Sequence, residues 1–156
     1  MFYFCLSLIL IIFDQISKIL TVLFLDEYES FTLINNIISF TRCHNTGGPW
    51  SIFNDYTVLF IIVTFIILIA EFIYLKKHPI SNTLSKISLS MINAGAIGNL
   101  IDRLFRGYVV DMLEVTFINY PVFNFADTFI VIGCVIMCIY IIFMSDKEDK
   151  KEKENG

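Results

Sequence analysis

"LSKISLSMINAGAIGNLIDRL", residues 84–104, has the length of a membrane span but little of its greasiness: three serines, two glycines, two asparagines and an Asp-Arg pair interrupt it. At helical spacing Ser90, Ala94, Gly98 and Asp102 form one row and Met91, Gly95, Asn99 and Arg103 the next. One face therefore combines small residues, which let helices approach closely, with polar heads that hydrocarbon will not tolerate. Such a helix belongs in the interior of a bundle whose outer helices are more apolar. The small residues alone need mean only packing. Asn99 and Arg103, one turn apart near the end of the segment, are different: an amide and a fixed cation there can bind a ligand's carbonyls or a carboxylate.

Composition supplies the outer helices. Hydrophobic residues make up 56% of the 156-residue chain, charged residues 17%, and there are 16 phenylalanines. With a mean hydropathy of +0.73, this excludes an ordinary soluble domain. Four segments approach the ~20 residues a bilayer requires: Phe2 to Leu25, Thr57 to Leu75, Leu84 to Phe105 and Val122 to Met144. The expectation is an all-α integral membrane protein of four transmembrane helices. Residues 1–145 would form one transmembrane domain and the mixed-charge stretch 146–156 a disordered tail. The first segment lacks the basic start and small-residue end of a cleavable leader, so it is kept as a helix.

Lysines flank the second and third segments (Lys76, Lys77, Lys86) and fill the tail (Lys147, Lys150, Lys151, Lys153), which places both termini in the cytoplasm. The first loop, Asp26 to Tyr56, carries one Arg and no Lys and so faces outward. Alternation in "SFTLINNIISFTR" (30–42) predicts a small β-like region there, and "HNTGGPW" (44–50) a turn through Gly47 and Gly48. Cys5, Cys43, Cys134 and Cys138 show neither a disulfide framework nor a metal spacing.

The remaining polar residues need reasons, because a charge at the bilayer centre costs about 2.5–3.5 kcal/mol. Asp14 and Lys18 stand at i and i+4 in the favourable acid-before-base order, and structural pairing outweighs direct chemistry for them. Glu71 lies close enough to the inner interface to snorkel. His44 and His78, each without a partner at ligand spacing, read as surface residues. "GYVVDMLEV" (107–115) carries Asp111 on an extended run after the helix-ending Gly107, and "NFAD" (124–127) sets Asp127 in the first turn of the last segment. A capping box alone would explain Asp127. It does not explain why two carboxylates reach the same depth, with Asn45, Asn99, Arg103 and Asn124 at similar height. That convergence favours a site.

At this point the sequence resembles a known family. "FDQISK" (13–18), "HNTGGPWSIF" (44–53), "NAGAIGNLIDR" (93–103), "VVD" (109–111) and "PVFNFAD" (121–127) are similar, in order, to the motif blocks of bacterial lipoprotein signal peptidase (signal peptidase II). The resemblance implies a membrane-embedded aspartic endopeptidase. Its substrates would be diacylglyceryl-modified prolipoproteins, cut on the N-terminal side of the lipidated cysteine. By motif, Asp111 and Asp127 would be the catalytic pair, Asn45, Gly47, Asn99, Arg103 and Asn124 would line the substrate pocket, and Asp14 with Lys18 would be a structural polar pair. It further implies no metal or other cofactor, globomycin-like inhibitors, contact with membrane lipids and not with nucleic acid, and a place in the bacterial cytoplasmic membrane with its site near the outer face; a monomer is the default expectation. Two departures stand out: Gly48 and Pro49 occupy positions where two alanines are usual, and Ala94 replaces the first Gly of a common pair.

The chemistry agrees with this implication. Two neighbouring carboxylates cannot easily both ionise, so they share a proton, one serving as base toward water and the other as acid toward the leaving amine. A presenilin-type protease would need a GxGD motif, which is absent. A small ion-coupled carrier using its intramembrane Asp, Lys and Arg is the alternative, disfavoured by the lack of an inverted repeat and by both acids lying at one interface.

Overall fold

The structure is a computed structural model and describes residues 2–48 and 56–143; Pro49 and the charged tail lie outside them. The described residues form four helices and three strands: α1 (Phe2–Phe24), β1 (Ser30–Ile34), β2 (Ile38–Asn45), α2 (Thr57–Lys77), α3 (Thr83–Arg106), β3 (Val109–Val115) and α4 (Phe125–Phe143). Three helices, α1, α2 and α4, are long and apolar enough to cross a membrane, with hydropathies of 2.0, 2.9 and 2.4. On α2 no residue is buried. A helix this apolar, with no residue fully covered by protein, needs lipid as its solvent over most of its surface.

The polar helix α3 is the one the others enclose. Nine of its residues are buried, among them Ser85, Ser88, Ser90, Ala94, Gly95, Gly98, Asn99 and Asp102, so the small-residue rows do face inward. Asn82 starts it, its side chain accepting from the N–H groups of Leu84 and Ser85, and Gly107 ends it in the left-handed conformation at φ 80°. Helix α4 packs closely on it: a Cβ built on Gly95 would lie 2.2 Å from the carbonyl oxygen of Ala126, and one on Gly133 would lie 2.8 Å from that of Ser88. Glycine is what allows this approach. On the other side, Ser7 of α1 donates to the carbonyl of Ser90.

Two expectations change. The β-like region is more than a local feature of the first loop: β3, from the α3–α4 connection, joins the β1–β2 hairpin to give an antiparallel sheet in the order β1-β2-β3. Between Phe40 and Cys43 the β2–β3 register shifts, so Cys43 comes to oppose Asp111. The last helix also begins later than Val122. The N–H groups of Met112 and Leu113 both donate to the carbonyl of Phe123, whose own N–H returns to Leu113. Residues 121–124 therefore run extended along β3 before α4 can start. Val110, Met112 and Leu113 form a buried core beneath Phe40, Tyr108 and Phe125, which holds the Asp111 backbone rigidly between sheet and bundle.

Glu71 does not snorkel. Its Oε1 accepts from Asn93 Nδ2 at 2.8 Å, tying α2 to α3, because a neighbouring amide satisfies a half-buried carboxylate with less side-chain ordering than a reach to the interface. His44 is also more engaged than a surface residue: Nδ1 lies 3.0 Å from Glu27 and the ring rests on Tyr108. Burial lowers its pKa, partly offset by Glu27.

Candidate active site

Asp111 and Asp127 meet where β3, the 121–124 segment and the first turn of α4 converge. Asn124 joins them. As N-cap its Oδ1 accepts from the Asp127 N–H (2.9 Å), and Asp127 Oδ2 accepts from the Asn124 N–H (3.2 Å), completing a capping box. The Asn124 Nδ2 group meanwhile donates to Asp111 Oδ1 at 2.7 Å and to Asn99 Oδ1 at 3.1 Å. The capping motif and the convergence of acids are thus one arrangement.

Every carboxylate oxygen of the pair has a nitrogen donor. Asp111 Oδ2 accepts from Asn45 Nδ2 at 2.9 Å, and Asp127 Oδ1 from Asn99 Nδ2 at 2.7 Å. Asp111 is 2% exposed. Its carboxyl is pushed up to about 7, first by burial and then by the charge of Asp127, against the pull of the Asn45 and Asn124 amides. A cavity of about 210 Å³ is lined by Asn45, Gly47, Asn99, Arg103, Asp111 and Asp127, with apolar walls from Val122 and Ile130. A roomier space of about 540 Å³ between the end of α1 and β1–β2 contains no comparable pair of acids; the chemistry belongs to the smaller one.

Arg103 bonds a backbone carbonyl of the protein. Its Nη2 donates to the Gly47 carbonyl at 3.0 Å and its guanidinium lies over the Phe60 ring. Among the described residues no carboxylate makes an ion pair with it. Gly47 in turn donates its N–H to Asn45 Oδ1, so the loop that carries Asn45 is fastened at both ends.

Beneath the acids lies a buried charge cluster. Lys18 Nζ is 2.9 Å from Asp14 and 2.9 Å from Asp102, all three side chains being fully buried, and it donates a third bond to Asn99 Oδ1 at 3.0 Å. Asp14 also accepts from the Ala126 N–H, and Asp102 from Arg106 and the Val110 N–H. Sequence reasoning placed Asp102 on an inward row but gave it no part. The available signal was its position in that small-residue row, four residues before Arg106, where only a paired charge is tolerable. Through Val110 it steadies the residue next to Asp111.

Comparison with known proteins bears on this geometry. The family profile described as "Signal peptidase (SPase) II" matches residues 6–143. A lipoprotein signal peptidase of Enterococcus faecalis is 39% identical over 99% of this chain and 94% of its own, and one of Clostridium acetobutylicum is 36% identical over 90% and 94%. A solved bacterial membrane enzyme is similar in fold with a TM-score of 0.84 at 32% identity, covering 96% of this chain and 92% of its own. The chain belongs to the signal peptidase II family. It is an enzyme of the aspartic endopeptidase type.

Proposed function

We propose that this protein removes the signal peptide of diacylglyceryl-modified prolipoproteins, cutting on the N-terminal side of the lipidated cysteine, with Asp111 and Asp127 as its catalytic dyad. The observation that carries the residue assignment is the bridge through Asn124, which holds both carboxylates in one cavity. The dyad contains one proton. Asp111, whose carboxyl resists ionisation, keeps it, and Asp127 takes a proton from water. The resulting nucleophile adds to the scissile carbonyl; the C–N bond then breaks as Asp111 gives its proton to the leaving nitrogen. The two acids have exchanged protonation states, and a proton passing between them or to solvent resets the site. Asn45, Gly47, Asn99 and Arg103 line the cavity around the peptide backbone, with Arg103 offering its cation to a substrate carbonyl, whereas Asn124, expected from the sequence to line the pocket, is fully buried and holds the two acids from behind it. Asp14 and Lys18 serve as a structural pair below them.

In this reading α3 is the fourth span. At 24 residues it is about 36 Å long, and the other helices cover its polar face. Both termini lie in the cytoplasm and the sheet with its dyad at the outer face of the bacterial cytoplasmic membrane. Globomycin-like inhibitors occupy the same cavity, and the enzyme works as a monomer.

The test is cleavage of a lipid-modified precursor by the purified protein, with Asp111→Asn and Asp127→Asn alongside. Each single variant should insert normally and lose nearly all turnover, and the double variant should be little worse, because the acids act as a unit. Substantial cleavage by either single variant would overturn the dyad.

A further inference from the structure

Helix α2 contributes no buried residue, yet its first turn is fastened to the site. Thr57 Oγ1 lies 2.9 and 3.0 Å from the carbonyl oxygens of Thr46 and Gly107, which share its one hydroxyl hydrogen. The first belongs to the loop that holds Asn45, and the second directly follows α3, four residues beyond Arg103. Phe60, three residues along from Thr57, lies on the same side of α2. Its neighbours Leu59, Ile62 and Val63 are exposed, whereas Phe60 is partly covered, with the Arg103 guanidinium carbon 4.8 Å from its ring centroid.

We infer that Phe60 is a positioning residue for the reaction, holding the Arg103 guanidinium flat beside the dyad by a cation–π contact. Hydrogen bonding alone fixes Arg103 loosely. Nη2 has Gly47, but Nε is buried without a hydrogen-bond partner among the described residues. A ring beside the cation limits how far the fork can swing without taking up its remaining donors. It also steadies the cation without neutralising it, as a carboxylate partner would. The full charge then remains available to a substrate carbonyl in the cavity that Arg103 and both aspartates line. Thr57 sets the ring at the right height, which gives the otherwise lipid-covered α2 a specific part in the site.

The inference rests on the proposed reading of Arg103 as a substrate contact, and a ring series tests it. Phe60→Leu keeps an apolar residue of similar reach but no π face; Phe60→Tyr and Phe60→Trp keep the face. In precursor cleavage by the full-length enzyme, Phe60→Leu should raise KM by about tenfold with kcat changed less, while Tyr and Trp stay within about threefold of wild type. Thermal melts should be alike across the series. Wild-type KM for Phe60→Leu overturns the inference, and so do equal losses for all three variants, which would mark Phe60 as packing alone. The parallel Asp111→Asn control separates the two failures: if wild type cleaves and Asp111→Asn does not, the functional reading stands and only the role of Phe60 is in question.

Discussion

Lys18 Nζ donates to Asn99 Oδ1 across 3.0 Å, and that single bond decides which way the Asn99 amide faces. With its oxygen engaged by Lys18 and Asn124, Asn99 must turn Nδ2 toward Asp127. A lysine on the first helix thereby sets the donor that meets one of the two acids.

Replacing Lys18 with Met should therefore act twice. It strands Asp14 and Asp102 as buried charges without their shared counter-ion, a loss of about 3–5 kcal/mol in comparable buried pairs, and it frees Asn99 to turn over. A large fall in melting temperature together with reduced cleavage is expected. Wild-type melting and turnover would show that the cluster carries no such burden.

The acidity of Asp111 predicts a pH profile. Its folded pKa, about 7, lies above the ordinary carboxylate value of 3.8, so proton binding favours the folded state. The stabilisation is fully present below the ordinary value and is lost as pH rises through about 7. Cleavage should follow the same limb, kcat/KM falling by about tenfold per pH unit above the transition, where both carboxylates are ionised. In Asp127→Asn one source of the upward shift is gone, so the melting temperature should decline less between about pH 4 and 8 (roughly the span from the ordinary value to just above the folded one). An identical decline would mean that Asp127 does not act on Asp111.

Gly95→Ala probes the α3–α4 contact. Its new methyl would meet Ala126 O at 2.2 Å and Ile130 Cγ1 at 2.6 Å. The helices must separate, at about 1–3 kcal/mol, and Asn99, one turn further along, moves away from Asp127. Gly107→Ala is the natural control: it meets no atom within 4 Å and strains only its positive φ, at about 1 kcal/mol. Melting curves and cleavage rates should both fall further for Gly95→Ala.

Arg103→Lys should restore cleavage only in part relative to Arg103→Ala. An ammonium can still bond the Gly47 carbonyl, but it cannot present a planar set of donors from a face held against Phe60. Full activity in the lysine variant would reduce Arg103 to an interfacial anchor.

The helices were legible because bilayer length and the small-residue rows are periodic signals. The inward face of α3 follows from Ser90, Ala94, Gly98 and Asp102 alone. The extended run around Asp111 was visible too, since β-branched residues cluster before it. What pairs with that run was not, because the register between β2 and β3 joins loops on opposite sides of two helices and depends on a shift between Phe40 and Cys43. Local pattern has no access to such a contact. Asn93 with Glu71 and Asp102 with Lys18 escaped for a similar reason: each residue looks costly alone, and its compensating partner is on another helix.

Asn124 restricts what this chain can become. Asparagine, aspartate and serine start helices about equally well, so the position seems open to exchange. Yet the same side chain must accept one hydrogen from the Asp127 amide and give two, to Asp111 and Asn99. Serine has only one hydrogen to give, aspartate when ionised has none, and glutamine is a methylene too long for the cap. Folding grammar would admit several letters here, but the combined demand leaves one: serine at this position would still start the helix and yet release the two acids from each other.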